Sequence, residues 1–374
     1  MKISKLKCLF LFSPFERPLG NSLVFFQGKC GNVIQLVTDE GVIGYGEAYG
    51  DQSQLYKLFN ELFPSLIGIN FDSWELVQKE IRRSLEGRVA PYVLGCIESA
   101  FNLAYWDIQG KMAGKSVCQL FGAEPIDQIP IYGTGLFYRD VEDYQKQLPF
   151  FMDEMQGFVD RGYHGIKMKA GRYPVEQEAW LIGQVRKEMP AHMQLMVDAN
   201  CGMRSVEETK DLVKRLEDLG IYWLEEPFKP DQYGRYQEIT KNAKMSIAAG
   251  ENEYSLTGFE QLIESKVSIL QPELSLCGGF SQIPALIELA KQAQVPLTPH
   301  VWGSGMLYAA TLQFYSMTHE KPTFLYECPF LDDPLRDYCF DSLTIQNGYI
   351  DTPKKPGLGV EINEEVMKKY LINF

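Results

Sequence analysis

Residues 165–200 read GIKMKAGRYPVEQEAWLIGQVRKEMPAHMQLMVDAN. Two short apolar runs, Gly165 to Lys169 and Gln194 to Asp198, flank a segment with amphipathic helical spacing, so the stretch reads as strand, helix, strand. Each strand ends on polar residues: Lys167-Met168-Lys169 in the first, Asp198-Ala199-Asn200 in the second. The same rhythm continues outward. Further strand candidates are Ile129 to Tyr132, Tyr222 to Glu225, Ser246 to Glu251, Ser268 to Glu273, Pro296 to His300 and Thr323 to Glu327. Eight β-then-α repeats of roughly 20 to 35 residues predict an α/β fold of the (β/α)8 TIM-barrel type. A doubly wound open sheet competes, but no Gly-rich phosphate turn follows the first strand.

Ahead of the barrel the pattern differs. Strand-like runs at Lys2 to Phe12, Asn32 to Thr38 and Val42 to Tyr45, with an Asp39-Glu40-Gly41 turn, give way to helical spacing from Gln54 to about Phe121. The predicted division is an α+β unit over 1–125, the barrel over 126–330, and a segment over 331–374 whose hairpin-like Leu343 to Ile350 packs back on the first unit.

The 374 residues include 36 Lys+Arg and 49 Asp+Glu, a net charge of −13. Without a basic run this excludes a polyphosphate partner, so no nucleic acid is expected. No uncharged apolar stretch reaches the roughly 18 residues a membrane span needs. Met1 to Phe15 resembles a signal peptide only in its lysines; its apolar run is short, and Ser13-Pro14-Phe15 follows in place of a small-residue cleavage site. Eight scattered cysteines with no CxxC pair predict reduced thiols and a cytoplasmic protein.

Barrel enzymes keep their chemistry at the C-terminal ends of the strands. Here those ends supply Lys167 and Lys169, Asp198, Glu225, Glu251, Glu273, His300 and Glu327. Asp198, Glu225 and Glu251 are 27 and 26 residues apart, one repeat each, so they come from neighbouring strands. Three carboxylates without Cys or His suit a hard cation such as Mg2+, with Mn2+ as a substitute. The alternative is three unrelated surface acids. Lys167 and Lys169 alternate on one face of their strand and should enter the barrel, where mutual repulsion and burial would lower a pKa and make a base. A solvated edge strand is the plainer reading of the same pattern. Glu273 precedes His300 by 27 residues and can hold its imidazole as a paired acid, with Lys169 on the opposite side of the axis. His192 and His319 read as surface residues, and His164 lies at the wrong end of its strand.

Taken together, GIKMK at 165–169, VDAN at 197–200, WLEEP at 223–227, AGE at 249–251, QPE at 271–273 with CGG at 277–279, PHVWG at 299–303 and Glu327 resemble the enolase superfamily, mandelate racemase group. GYGEA at 44–48, AYWDIQGK at 104–111 and PGLGV at 356–360 extend the resemblance over nearly the whole chain. It implies a capping domain over a modified barrel, completed by the C-terminal segment. It also implies Mg2+ on Asp198, Glu225 and Glu251, and removal of the proton α to a small-molecule carboxylate through a metal-stabilised enediolate. Lys169 would be one base and the His300/Glu273 pair the other. Lys167, Asn200 and Glu327 would contact substrate oxygens, with Glu327 protonated as a donor. Glu273 stands where the group usually has Asp. The expected outcome is dehydration of a sugar acid, aldonate or aldarate, to a 2-keto-3-deoxy acid. The alternatives are a racemase or epimerase using Lys169 and His300 as opposed bases, or a non-catalytic ligand-binding descendant. Loops at Ser13 to Gly28 and Tyr49 to Leu55 should select the substrate, with Arg17 the candidate partner of a distal carboxylate or else an exposed surface arginine. A homo-oligomer, dimer to octamer, is expected.

Overall fold

Alternation of apolar and polar residues near the N-terminus produces two long antiparallel strands, β1 (Ile3–Gly20) and β2 (Phe25–Thr38), with a shorter β3 (Ile43–Glu47) paired to β2. The computed structural model describes residues 1–321, 323–341, 343–372 and 374. This sheet packs on α1 (Gln52–Leu66), α2 (Trp74–Leu85) and α3 (Pro91–Ala113) around one apolar core. The approach of β3 to α3 is close. A Cβ at Gly46 would sit 1.8 Å from the Ala100 carbonyl oxygen, so no larger residue fits.

The stretch Ser13 to Gly28, expected as a loop, is instead the outer half of the β1–β2 hairpin, a paired arm ending at residues 21–24. Its aromatic residues favour extended backbone. Asn21 Oδ1 accepts from the amides of Leu23 and Val24 at 2.9 Å each and closes the tip.

After a one-turn α4 (Val117–Leu120) come the barrel strands β4 (Ile129–Gly135), β5 (Gly165–Lys169), β6 (Gln194–Asp198), β7 (Trp223–Glu225), β8 (Ser246–Ala249), β9 (Ile269–Leu270) and β10 (Tyr326–Pro329). They pair in parallel in the order β10-β4-β5-β6-β7-β8-β9. The predicted seventh strand, Pro296 to His300, makes only isolated bridges, Leu270 to Leu297 and Glu273 to His300. Pro296 and Pro299 have no N–H to donate, and Pro272 ends β9 early for the same reason. Helices α5 (Leu148–Asp160), α6 (Val175–Glu188), α7 (Val206–Asp218), α8 (Tyr233–Thr240), α9 (Leu256–Glu264), α10 (Ile283–Ala293) and α11 (Gly305–Thr318) follow successive strand positions. The short α12 (Pro334–Asp337) stands after β10 in place of a full-length barrel helix, which makes the barrel a modified one.

The C-terminal hairpin departs from expectation. Strand β11 (Ile345–Gln346) pairs with β12 (Tyr349–Ile350), and β12 pairs antiparallel with the start of β4, so the hairpin extends the barrel sheet and not the first unit. Only the flanking chain returns there: the Leu358 amide donates to buried Asp107 of α3 at 2.8 Å, and the Ile372 amide to the Phe10 carbonyl at 2.9 Å. No helix among the described residues is long and apolar enough to cross a membrane.

Candidate active site

On β5 the period-2 rule decides which side chains enter the barrel. Ile166 and Met168 join the core between barrel and helices, while Lys167 and Lys169 project from the opposite face and are both buried. Asp198 pairs in register with Lys169 across β5–β6, and Glu225 with Asp198 across β6–β7. One carboxylate oxygen each from Asp198, Glu225 and Glu251 lie within 4.8 Å of one another. Lys169 Nζ donates to Asp198 Oδ2 at 2.6 Å, and Lys167 Nζ bridges Glu225 Oε1 at 2.5 Å and Glu327 Oε1 at 2.8 Å.

The imidazole lies across the cluster. Bridge partners Glu273 and His300 bring Oε2 to 2.9 Å from Nδ1, while Nε2 faces Glu251 Oε2 at 3.2 Å and Glu327 Oε2 at 4.0 Å. Glu273 is held on both oxygens: Ser275 donates from N and Oγ to Oε1 at 2.9 and 2.8 Å, and the Trp302 amide donates to Oε2 at 3.3 Å. Burial opposes the charged imidazole, but Glu251, Glu327 and Glu273 outweigh it and raise His300 to about 10. Burial, with Asp198 and Glu251 close by, raises Glu225 to about 8 against the pull of Lys167. Burial also raises Glu251 to about 7, although His300 pulls the other way.

Two expectations about protons are reversed. Burial would lower Lys167, but Glu225 and Glu327 dominate and hold it well above its ordinary value, so it is a fixed cation and not a depressed base. Burial would raise Glu327, but Lys167 and His300 hold it down at about 2, and it accepts from Thr134 Oγ1 and the Val301 amide. It is a carboxylate here and not the expected donor.

Asn200 sits at φ 40 beside the cluster, its amide donating to Asp198 Oδ1 at 2.8 Å and its buried Oδ1 without a partner. Arg17 is exposed on β1 and is not drawn to the cluster. His192 is exposed and His164 packs on Tyr349 at the opposite rim, as expected; His319 is half-buried against the Tyr315 ring.

Comparison with known sequences gives two family matches that together span most of the chain. Residues 13–122 match the mandelate racemase/muconate lactonizing enzyme N-terminal domain, and residues 151–366 the enolase C-terminal domain-like family. The chain belongs to the mandelate racemase/muconate lactonizing enzyme family. Relatives in this family are enzymes, both lyases and isomerases. D-galactarolactone cycloisomerase of Agrobacterium fabrum is 30% identical over 99% of each chain. Arabinonate dehydratase of Saccharolobus solfataricus is 28% identical over 90% of this chain and 89% of its own. The 3,6-anhydro-D-galactonate cycloisomerase of Zobellia galactanivorans superposes with TM-score 0.86 at 26% identity over the full length of both chains. An enolase from Bradyrhizobium, complexed with magnesium and mandelic acid, shares the fold at TM-score 0.82 and 23% identity over 100% of this chain and 99% of its own.

The family's metal fits the residues present. The three carboxylates offer only oxygen donors, and Glu251 Oε2 is buried without an aligned hydrogen bond despite its nearness to His300.

Several supporting residues, some of them inside the quoted motifs, gain a role only through the structure. Trp223 Nε1 and Gln271 Nε2 fix Glu225 Oε2 at 3.0 and 2.7 Å. Thr134, next to last in β4, the one strand that had supplied no candidate, donates to Glu327. Glu47, from the first unit, accepts from Ser304 N at 3.0 Å and Oγ at 2.6 Å, tying β3 to the segment after His300. Tyr49 keeps 38% of its surface exposed at the mouth, with its hydroxyl raised by burial and by Glu251 and Glu273.

Proposed function

We propose that this protein removes the proton α to the carboxylate of a sugar acid and expels an oxygen from the β-carbon. The observation that carries the reading is the convergence of Lys169 and the Glu273-held His300 on the Asp198, Glu225, Glu251 cluster. Asp198, Glu225 and Glu251 would hold a divalent cation, which would supply positive charge to stabilise the substrate carboxylate as the α-carbon loses its proton. Lys169 is the proposed base, its Nζ taking that proton, and the electron pair of the broken C–H bond forms the α,β double bond. His300, charged through its carboxylate neighbours, gives a proton from Nε2 to the departing oxygen as the β C–O bond breaks. Lys167 and Asn200 are the proposed substrate-oxygen contacts. Loss of a β-hydroxyl releases water and an enol that becomes the 2-keto-3-deoxy acid.

A second outcome draws support from the relatives named as cycloisomerases. There the departing oxygen belongs to a ring, stays attached, and the product is an isomer. Return of the proton to the opposite face, without loss of oxygen, would instead give an epimerase.

With Mg2+ in D2O, a panel of sugar acids should give, in at least one case, 2-keto product carrying deuterium at C3, or returned substrate carrying α-deuterium. Lys169→Met and His300→Asn are each expected to lower kcat by about 10²–10⁴-fold, the usual worth of a positioned acid or base. Turnover retained in both would overturn the assignment. Exchange without keto product would replace elimination by epimerisation.

A further inference from the structure

Five aromatic side chains from separate parts of the chain meet at the rim between the two proposed proton-carrying groups. Phe15 and Phe26 come from the β1–β2 arm, Phe137 from the loop after β4, Trp302 from just beyond His300, and Phe330 from the end of β10. Their rings pack in a continuous array: Phe26 to Phe137 at 5.7 Å and to Trp302 at 6.0 Å, Phe330 to Phe137, Trp302 and Phe15 at 5.3 Å each. The array reaches both ends of the chemistry. Lys169 Nζ is 5.0 Å from the Phe137 ring, and the Trp302 amide donates to the same Glu273 oxygen that holds His300. Phe137 and Phe330 are buried, whereas Phe15, Phe26 and Trp302 are half-buried and keep surface open. Phe330 is held at φ 61, a left-handed conformation uncommon for a bulky residue and concentrated at functional sites.

Recognition of a second carboxylate needs a cation beside this wall. Among the described residues bordering it, Lys29 and Arg172 are already engaged and Arg17 is exposed. Lys29, 1% exposed beneath the rings of Trp302 and Phe330, pairs with buried Asp333 at 2.5 Å. Arg172 lies 4.1 Å from the Phe25 ring and donates to the Asn21 carbonyl at 3.1 Å. Arg17 points to solvent. The wall's single polar group is the indole N–H of Trp302, too little to satisfy the hydroxyls of an extended polyol chain.

Resting on the α-proton reading above, we infer that the substrate is a monocarboxylic sugar acid whose distal part is a closed ring, laid with its C–H face on this aromatic wall. The carboxylate and α-carbon then lie toward the Asp198, Glu225, Glu251 cluster, and the ring fills the space under the arm.

Kinetics with the Mg2+-loaded full chain test this on three acids: the monolactone of galactarate (one carboxylate, one ring), open galactarate (two carboxylates) and open galactonate (one carboxylate, no ring). The kcat/KM of the monolactone is expected to exceed that of either open acid by at least about tenfold, the range of one well-fitted apolar contact. Equal or reversed preference overturns the ring assignment, and preference for galactarate would restore Arg17 as a carboxylate partner. In Phe26→Ala the ratio should fall toward one, chiefly through a higher KM for the monolactone; an unchanged ratio in a folded variant also overturns it. Should that variant not fold, the wild-type ratio decides alone. Absence of both product and α-deuterium exchange with all three acids and with a wider acid panel would overturn the α-proton reading itself, a result separable from exchange that merely ignores the ring.

Discussion

Glu273 is one methylene longer than the aspartate expected at its place, and the structure uses the extra length. Its carboxylate spans donors on two sides, Ser275 N and Oγ on one oxygen and His300 Nδ1 with the Trp302 amide on the other. A shorter side chain cannot reach both sets without moving the backbone of the Glu273–His300 bridge. Glu273→Asp is therefore expected to lower kcat by about 10–100-fold, since small misplacements of a catalytic group cost about that much. Wild-type kcat in this variant would show that the imidazole is positioned by something else. Lys167 carries a related lesson. Its neighbour two residues on suggested a depressed pKa, but side chains from β7 and β10 determine its charge, and those contacts join residues 58 and 160 positions away in the sequence.

An exchange of backbone bonds ties the hairpin arm of β1 and β2 to the loop after β4. Gly20 and Tyr138 donate to each other's carbonyls at 2.8 and 2.9 Å. Tyr138 is in turn anchored by its hydroxyl, which donates to both oxygens of Glu178 on α6 at 2.7 and 2.8 Å, while the Tyr173 amide donates to the same carboxylate. Burial raises Glu178 from 4.5 to about 7, although these donors pull it down. An acid whose folded pKa exceeds its unfolded one favours folding most below the unfolded value, and that advantage fades as pH rises from about 4.5 to 7. At about 1.4 kcal/mol per pH unit the loss is at most about 3.5 kcal/mol. Glu178→Gln carries no such titration, so the fall in melting temperature between pH 5 and pH 8 should be smaller than in wild type. An equal fall in both would show that Glu178 does not contribute. Sequence pattern located the barrel strands well where apolar residues ran together or alternated with the site residues, as at Gln194 to Asp198 and Gly165 to Lys169. It failed at Pro296 to His300 and at the arm. In the first, two prolines leave a pair of bridges in place of a ladder. In the second, strand length is set by partners on the barrel, which local sequence does not specify. The strand-end acids and His300 were legible because strand position dictates where they point. The roles of Gln271, Thr134 and Ser304 were not, because each matters only through a hydrogen bond to another residue.

The net charge of −13 describes the surface of the whole chain, yet an imbalance of the same sign is concentrated inside the barrel. Asp198, Glu225, Glu251, Glu273 and Glu327 face only Lys167, Lys169 and His300, and the excess shows in Glu225 and Glu251, driven up to about 8 and 7. Buried like charges raise the free energy of the fold, and a divalent cation binding only the native state relieves them. Mg2+ at about 100 times its dissociation constant should stabilise by about 2.7 kcal/mol, visible as a melting point raised by a few degrees and reversed by EDTA. Glu251→Gln separates this from a merely structural role, because its effect should change sign with the ion. Without Mg2+ the variant removes a repelled buried charge and should melt at or above wild type. With Mg2+ it lacks one of three ligands and should melt below wild type, with the ion-dependent rise reduced or absent. Calorimetric scans of both proteins in EDTA and in Mg2+ read the crossing directly. Parallel behaviour, with both proteins gaining the same stability from Mg2+, would place the ion elsewhere and remove the cluster from the proposed reaction.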